Sequence, residues 1–132
     1  MTRYILDTNA VIALLNDPKS ALGKRVRRHK PSDFCISSMV AHELFYGAFK
    51  SRRAEDNVAL VEALQLQVLE FDKEDARHAG QIRALLASKG TPIGPYDVLI
   101  AGQAMARGLI LVTHNTREFA RVTGLQTQDW SQ

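Results

Sequence analysis

Three carboxylates occupy unusual places in this sequence. Asp7 directly follows the apolar stretch 4–6, and Glu43 lies in a largely apolar segment soon after a second such stretch. Asp97 is the only charged residue in the run 96–106. An ionised carboxylate in such surroundings costs several kcal/mol unless it is paired or binds a metal ion. Oxygen ligands without His or Cys suit a hard cation, so these acids predict a Mg²⁺ or Mn²⁺ site.

Each acid also has a simpler structural explanation. Asp7 precedes a predicted helix and is a good N-cap residue for it. Asp97 falls in a first helical turn, where a negative charge is favourable. Glu43 falls on the flank of a helical stripe, where a glutamate is usually just solvated. The residues alone leave both explanations open.

A fourth polar region follows the apolar stretch 109–113. Asn115 and Glu118 have the spacing of a capping box, in which each side chain accepts a hydrogen bond from the other end of the first turn. Thr113 adds a hydroxyl at the same place. The segment therefore predicts either a helix cap or a further part of the acidic site.

Alternating strands and helices must position these side chains. The strands are too apolar for a one-sided sheet, which predicts a parallel sheet covered on both faces. In such folds ligands bind beyond the carboxyl ends of the strands, where the acids lie. The predicted strands are 4–6, 33–38, 68–71, 109–113 and 125–130. The predicted helices are 8–16, 20–29, 38–49, 55–66, 74–89, 96–107 and 116–121.

Length and composition limit the class of protein. A chain of 132 residues, 45% hydrophobic and 23% charged, predicts one globular domain. No apolar run approaches the roughly 20 residues that span a bilayer, and the N-terminus lacks a signal-peptide pattern. Cys35 is the only cysteine. We therefore expect a protein of a reducing, cytoplasmic setting with no membrane segment.

The charges are distributed unevenly. The net charge is +3, from 17 basic and 14 acidic residues. If three acids hold a metal, 11 acids remain against 17 bases, which gives +6. An acidic pocket on an otherwise basic protein suits a nuclease. The basic clusters 24–30 and 50–53 are either RNA-binding surface or ordinary solvated helix surface.

The ordered set of motifs resembles PIN-domain ribonucleases, and more narrowly the VapC toxins of type II toxin–antitoxin systems. The matching segments are YILDTNAVIALL, CISSMVAHELFYGAFKS and the run from GTPIGPYDVLIAGQA to THNTREF and LQTQDW. This resemblance implies a Rossmann-like α/β/α sandwich with a mostly parallel, about five-stranded sheet, formed by residues 1–132 as a single PIN domain. It also implies a Mg²⁺- or Mn²⁺-dependent endoribonuclease with Asp7, Glu43 and Asp97 as its metal-centred acids.

The resemblance has further implications for the site and its partners. The family often has an acid where this chain has Asn115, so Asn115, Glu118 or both complete the site. The resemblance also implies a homodimer and a cognate VapB-like antitoxin. The C-terminal segment of this antitoxin is expected to cover the site. The RNA substrate is expected to be a tRNA, by analogy initiator tRNA cut in its anticodon stem-loop.

Two alternatives belong to other functional classes. One is a PIN scaffold that only binds RNA or protein, and the intact set of three acids argues against it. The other is a DNA-directed PIN-like nuclease, which would normally need more chain for clamping elements. A haloacid-dehalogenase-like phosphatase is disfavoured because Asn9 stands where that chemistry needs a second aspartate.

Overall fold

The centre of the molecule is a parallel five-stranded sheet. A computed structural model describes residues 2–132. The strands are β1 (Tyr4–Leu6), β2 (Phe34–Ser37), β3 (Gln67–Leu69), β4 (Ile110–Val112) and β5 (Thr127–Gln128). Their order is β3-β2-β1-β4-β5, and every neighbouring pair is parallel. The predicted parallel, five-stranded sheet is confirmed.

Seven α-helices flank this sheet in the described part of the chain. They are α1 (Thr8–Asn16), α2 (Ala21–Val26), α3 (Ser38–Phe49), α4 (Ala54–Glu62), α5 (Lys73–Ser88), α6 (Pro95–Arg107) and α7 (Thr116–Phe119). The chain runs from β1 through β2 to β3 and then returns across the sheet to β4. Because crossovers between parallel strands are right-handed, this reversal places α1 to α4 on one face and α5 and α6 on the other. None of the helices within residues 2–132 has both the length and the apolar character to cross a membrane.

Two predicted helices end earlier than expected. Residues 20–29 form only the short α2. Beyond Val26 the amides of Arg28 and His29 bond three residues back, to the carbonyls of Arg25 and Val26, so the α-helix ends there. His29 leaves the helix and stacks on Trp130 in the core. The helix predicted to reach Leu66 ends at Glu62, and Leu64 and Leu66 pack against the core instead.

The edge strands are also shorter than predicted. β3 was expected over 68–71, but it ends at Leu69 because the carbonyl of Glu70 accepts hydrogen bonds from Gln103 and Arg107 of α6. The last strand was expected over 125–130 and covers only β5. Trp130 turns back into the core, where it is 1% exposed.

Close packing between α5 and α6 fixes the position of α6. A Cβ atom on Gly102 would lie 2.6 Å from the Cα of Ala79, so the two helices touch at a place that only glycine permits. Next to this contact, Arg107 donates hydrogen bonds to the buried carboxylate of Asp75, at 3.0 Å to Oδ2. Gln103 donates to the same oxygen. These contacts hold the helix that carries Asp97.

Candidate active site

A pocket of about 280 Å³ opens at the carboxyl edge of the sheet. It lies where the starts of α1 and α6 meet the middle of α3. The structure thus brings together Asp7, Glu43 and Asp97, which are far apart in the sequence. The full lining is Asp7, Thr8, Asn9, Glu43, Gly94, Pro95, Tyr96 and Asp97.

Asp7 caps α1 and also faces the end of β4. Its Oδ1 accepts a hydrogen bond from the amide of Ala10 at 2.8 Å, so the predicted cap is confirmed. Its Oδ2 accepts one from the hydroxyl of Thr113 at 2.5 Å. Burial raises the pKa of Asp7 and outweighs these two hydrogen bonds, and the charge of Glu43 raises it further. Two hydrogen bonds therefore fix the carboxylate in place, while burial and the charge of Glu43 disfavour its ionised form.

Glu43 is tied to the start of α1. The side chain is half-buried on α3, and its Oε1 accepts a hydrogen bond from the hydroxyl of Thr8 at 2.9 Å. This contact fixes one carboxylate oxygen. Within the described residues no donor binds Oε2, so this oxygen is available for a ligand.

Asp97 is the least satisfied of the three acids. Gly94 is the N-cap of α6 and Pro95 occupies its first position, where a missing N–H costs nothing. Burial raises the pKa of Asp97 to about 6, and the charges of Glu118, Asp7 and Glu43 raise it as well. No hydrogen bond from residues 2–132 offsets these effects. Asp97 is therefore a partly buried carboxylate with three other carboxylates near enough to repel its charge.

Asn115 and Glu118 are linked to each other and to α6. Asn115 stands at the N-cap position of α7, but its side chain makes no cap hydrogen bond, so the predicted capping box is wrong. Its Nδ2 instead donates to Glu118 Oε2 at 2.7 Å. Glu118 Oε1 accepts from the amide of Gly94 at 2.8 Å. Neither side chain lines the pocket. The long-range bond to Gly94 outcompetes the local cap, which sequence spacing could not reveal.

Some residues of the site were not predicted from the sequence. Thr8 orients Glu43, while Asn9 and Tyr96 line the pocket. The run DTN offered a signal, because three capping residues in succession exceed what one helix needs. His114 lies outside the pocket lining and contacts Asp129 and Ser131.

The donors fit a hard divalent cation. The pocket offers carboxylate oxygens from Asp7, Glu43 and Asp97. Burial raises the pKa of Asp97, and so does nearby negative charge, which a cation would neutralise. No three His, Cys, Asp or Glu side chains within residues 2–132 lie close enough to enclose an ion by themselves. Water or substrate oxygens would therefore complete the shell, as is usual for Mg²⁺.

Comparison with known proteins identifies the family. Residues 4–125 match the PIN domain. The chain is 47% identical to the tRNA(fMet)-specific endonuclease VapC of Shigella flexneri over 99% of this chain and 100% of that one. It is similar in structure to DNA-bound VapBC from Salmonella typhimurium, with a TM-score of 0.93, 47% identity and coverage of 98% and 99%. It is also similar to VapBC-1 from nontypeable Haemophilus influenzae, with a TM-score of 0.90, 34% identity and coverage of 99% and 100%.

The resemblance seen in the sequence motifs is thereby confirmed over nearly the whole chain. With its parallel sheet and with three acids at the carboxyl edge, the chain belongs to the PIN-domain family and, within it, to the VapC ribonucleases.

Proposed function

We propose that this chain is the toxin of a type II toxin–antitoxin system and cleaves RNA as a Mg²⁺- or Mn²⁺-dependent endoribonuclease. The observation that supports it best is the convergence of Asp7, Glu43 and Asp97 on one pocket, where burial and the repulsion of neighbouring carboxylates raise the pKa of Asp97 to about 6. We further propose that residues 1–132 form one PIN domain.

Each acid has a distinct part in the proposed mechanism. Asp7 and Asp97 would hold the metal ion, directly or through water. The bound ion would supply positive charge at the scissile phosphate and lower the pKa of water in the site. Glu43, with Oε1 fixed by Thr8, would help to hold the ion or orient the attacking water and accept its proton at Oε2. Attack on the phosphodiester would leave a 5′-phosphate and a 3′-hydroxyl.

Part of the basic surface is available for the RNA backbone. Four cations of these clusters already have partners. Arg25 lies over the Trp130 ring and Lys50 over the Tyr46 ring, Arg27 donates to the carbonyl of Pro18, and Arg53 pairs with Asp56. The remaining exposed cations of the two clusters pair with none of residues 2–132, and they would contact phosphates. They are Lys24, Arg28, Lys30 and Arg52.

The substrate and partners follow from the relatives. The Shigella flexneri relative is named a tRNA(fMet)-specific endonuclease, which supports initiator tRNA as the substrate here. The two solved structures named above are VapBC, which supports a VapB-like antitoxin as partner. We further propose that this chain forms a homodimer. An antitoxin Arg or Lys placed at the three acids would replace the charge of the ion. We also propose a cytoplasmic location, which suits the buried free thiol of Cys35.

The test uses purified protein and end-labelled initiator tRNA. With Mg²⁺ or Mn²⁺ we expect one dominant cut in the anticodon stem-loop, which EDTA abolishes. Asp97→Asn should reduce the rate at least ~100-fold, since the effect of an interaction lost in the transition state is large. Far-ultraviolet circular dichroism would show that the variant is folded.

Three outcomes would contradict the proposal. Cleavage at the wild-type rate by folded Asp97→Asn or Asp7→Ala would remove the acids from the mechanism. Cleavage of a DNA oligonucleotide in preference to RNA would favour the DNA-directed alternative. Tight RNA binding without any cleavage would favour a non-catalytic module.

A further inference from the structure

We propose that Glu118 is a positioning residue rather than a metal ligand, and that with Arg121 it clamps the loop that begins α6 and so sets the position of the Asp97 carboxylate. This inference rests on the proposed function. It concerns the one acid near the site whose part the sequence left open.

The carboxylate of Glu118 is already occupied on both sides. Oε1 accepts from the backbone amide of Gly94 at 2.8 Å, and Oε2 accepts from Asn115 Nδ2 at 2.7 Å. By contrast, Asp97 has no hydrogen-bond donor within the described residues. The pocket that contains the other three acids is not lined by Glu118. These contacts favour a structural task for the carboxylate over coordination of an ion.

Arg121 holds the same loop at a second point. Its Nη1 donates to the carbonyl of Pro92 at 3.0 Å. The amide of Arg121 in turn donates to the carbonyl of Glu118, so the two side chains project from one tight turn. Arg121 therefore binds the carbonyl of Pro92, and Glu118 binds the amide of Gly94, two residues further along the loop. Together they fix both the place and the direction of the peptide chain before α6.

The loop determines where Asp97 lies. Gly94 is the N-cap of α6, and its carbonyl accepts from the amide of Val98 at 3.0 Å. A Cβ atom on Gly94 would lie only 3.2 Å from Asp97 Oδ2, so the carboxylate folds back over this glycine. A shift of Gly94 would move the carboxylate with it. Misplacement by about 1 Å can cost ~100-fold in rate.

The clamp also connects two of the acids. The amide of Asn115 donates to Thr113 Oγ1 at 2.9 Å, and the Thr113 hydroxyl donates to Asp7. Asn115 thus joins the hydrogen bonds that reach Asp7 to those that reach Gly94 and α6. The short segment 113–121 therefore sets the spacing between Asp7, which follows β1, and Asp97 in α6.

The test compares Glu118→Gln with Glu118→Ala. Glutamine keeps an oxygen for Gly94, and an Asn115 amide rotated by half a turn can accept from its Nε2, but the charge is lost. We expect Glu118→Gln to retain kcat and Mn²⁺ affinity within about threefold, and Glu118→Ala to lose kcat about 10- to 100-fold. Mn²⁺ binding would be measured calorimetrically, without RNA.

Arg121 provides an independent arm of the experiment. Arg121→Ala should lower kcat by about tenfold with little change in Mn²⁺ affinity or KM, and Arg121→Lys should restore part of it. Nuclear magnetic resonance would follow the Gly94 amide, whose exchange with solvent should accelerate in Glu118→Ala but not in Glu118→Gln. If Glu118→Ala fails to fold, Glu118→Gln and the Arg121 variants still show whether Glu118 positions the loop or binds the ion.

Two results would overturn the clamp. If Glu118→Gln loses Mn²⁺ affinity and activity as severely as Asp97→Asn, Glu118 is a ligand. If Glu118→Ala or Arg121→Ala cleaves at the wild-type rate, the loop needs no clamp. Full activity of Asp97→Asn would contradict the proposed function instead, so the two failures are distinguishable.

Discussion

The hydroxyl of Thr113 donates a hydrogen bond of 2.5 Å to Oδ2 of Asp7, across 106 residues of sequence. β1 and β4 are neighbours and parallel, so the residues that follow them meet at the same edge of the sheet. Asp7 is thereby held by its own helix through one oxygen and by a neighbouring strand end through the other. The position of the Asp7 carboxylate therefore depends both on α1 and on the residue that follows β4.

Replacing Thr113 with Val tests this contact. Val fills nearly the same volume, but Asp7 loses a donor and the amide of Asn115 loses its acceptor. We expect the free energy of unfolding in urea to fall by about 1–3 kcal/mol and RNA cleavage to slow at least ~10-fold. Thr113→Ser keeps the hydroxyl and is the matched control. Equal cleavage rates for the two variants would refute a role for the hydroxyl.

Asp97→Asn should stabilise the metal-free protein while abolishing its activity. The pKa of Asp97 in the folded protein, about 6, lies above the ordinary aspartate value of 3.8. The folded state therefore binds more protons between these pH values, and wild-type stability falls as pH rises through about 6. The stability advantage of Asp97→Asn should grow from pH 4 to pH 6 and level off above. Urea unfolding across this range measures it, and an advantage that shrinks with rising pH would contradict the prediction.

Mn²⁺ should stabilise the wild-type protein through the same acids. A ligand that binds only the folded state raises stability, by about 2.7 kcal/mol at 100 times its Kd. We expect Tm to rise with Mn²⁺ and to return after EDTA treatment. The double variant Asp7→Asn/Asp97→Asn should show almost no rise. An equal rise in that variant would mean that the ion binds elsewhere.

Gly102→Ala should displace α6. The added methyl group would lie 2.6 Å from backbone atoms of Ala79, which cannot move aside as a flexible side chain can. We expect a loss of about 1–3 kcal/mol in stability, together with reduced activity because Asp97 moves with its helix. Gly80→Ala on α5 is the control, since its Cβ would meet no atom within 4 Å. That variant should be neutral or up to ~1 kcal/mol more stable.

Arg107→Met should lower the stability of the protein far more than the loss of an exposed ion pair does. It leaves Asp75, which is 1% exposed, without its guanidinium partner. We expect a loss of about 3–5 kcal/mol in stability. Arg53→Met removes an exposed pair with Asp56 and should change stability by less than ~1 kcal/mol. Similar Tm values for both variants would show that the Asp75 contact contributes little.

The prediction from sequence succeeded where a local pattern and the tertiary fold agree. The apolar run of β1, the cap at Asp7 and the helix that follows it all came from short-range signals. It failed where a distant contact was stronger than a local one. The carbonyl of Glu70 bonds to α6 and ends β3, and Glu118 bonds to Gly94 instead of completing a cap.

The sequence by itself determined which acids lie among apolar residues, because burial of a strand or helix can be read from its apolar residues, and a carboxylate among them needs a partner. It identified Asp7, Glu43 and Asp97 and the edge of the sheet where they would lie. Only the tertiary structure decided which atoms hold each acid. Hydrogen bonds such as those of Thr113 with Asp7 and of Glu118 with Gly94 join residues on separate elements, and their partners depend on distances that only the packed chain defines.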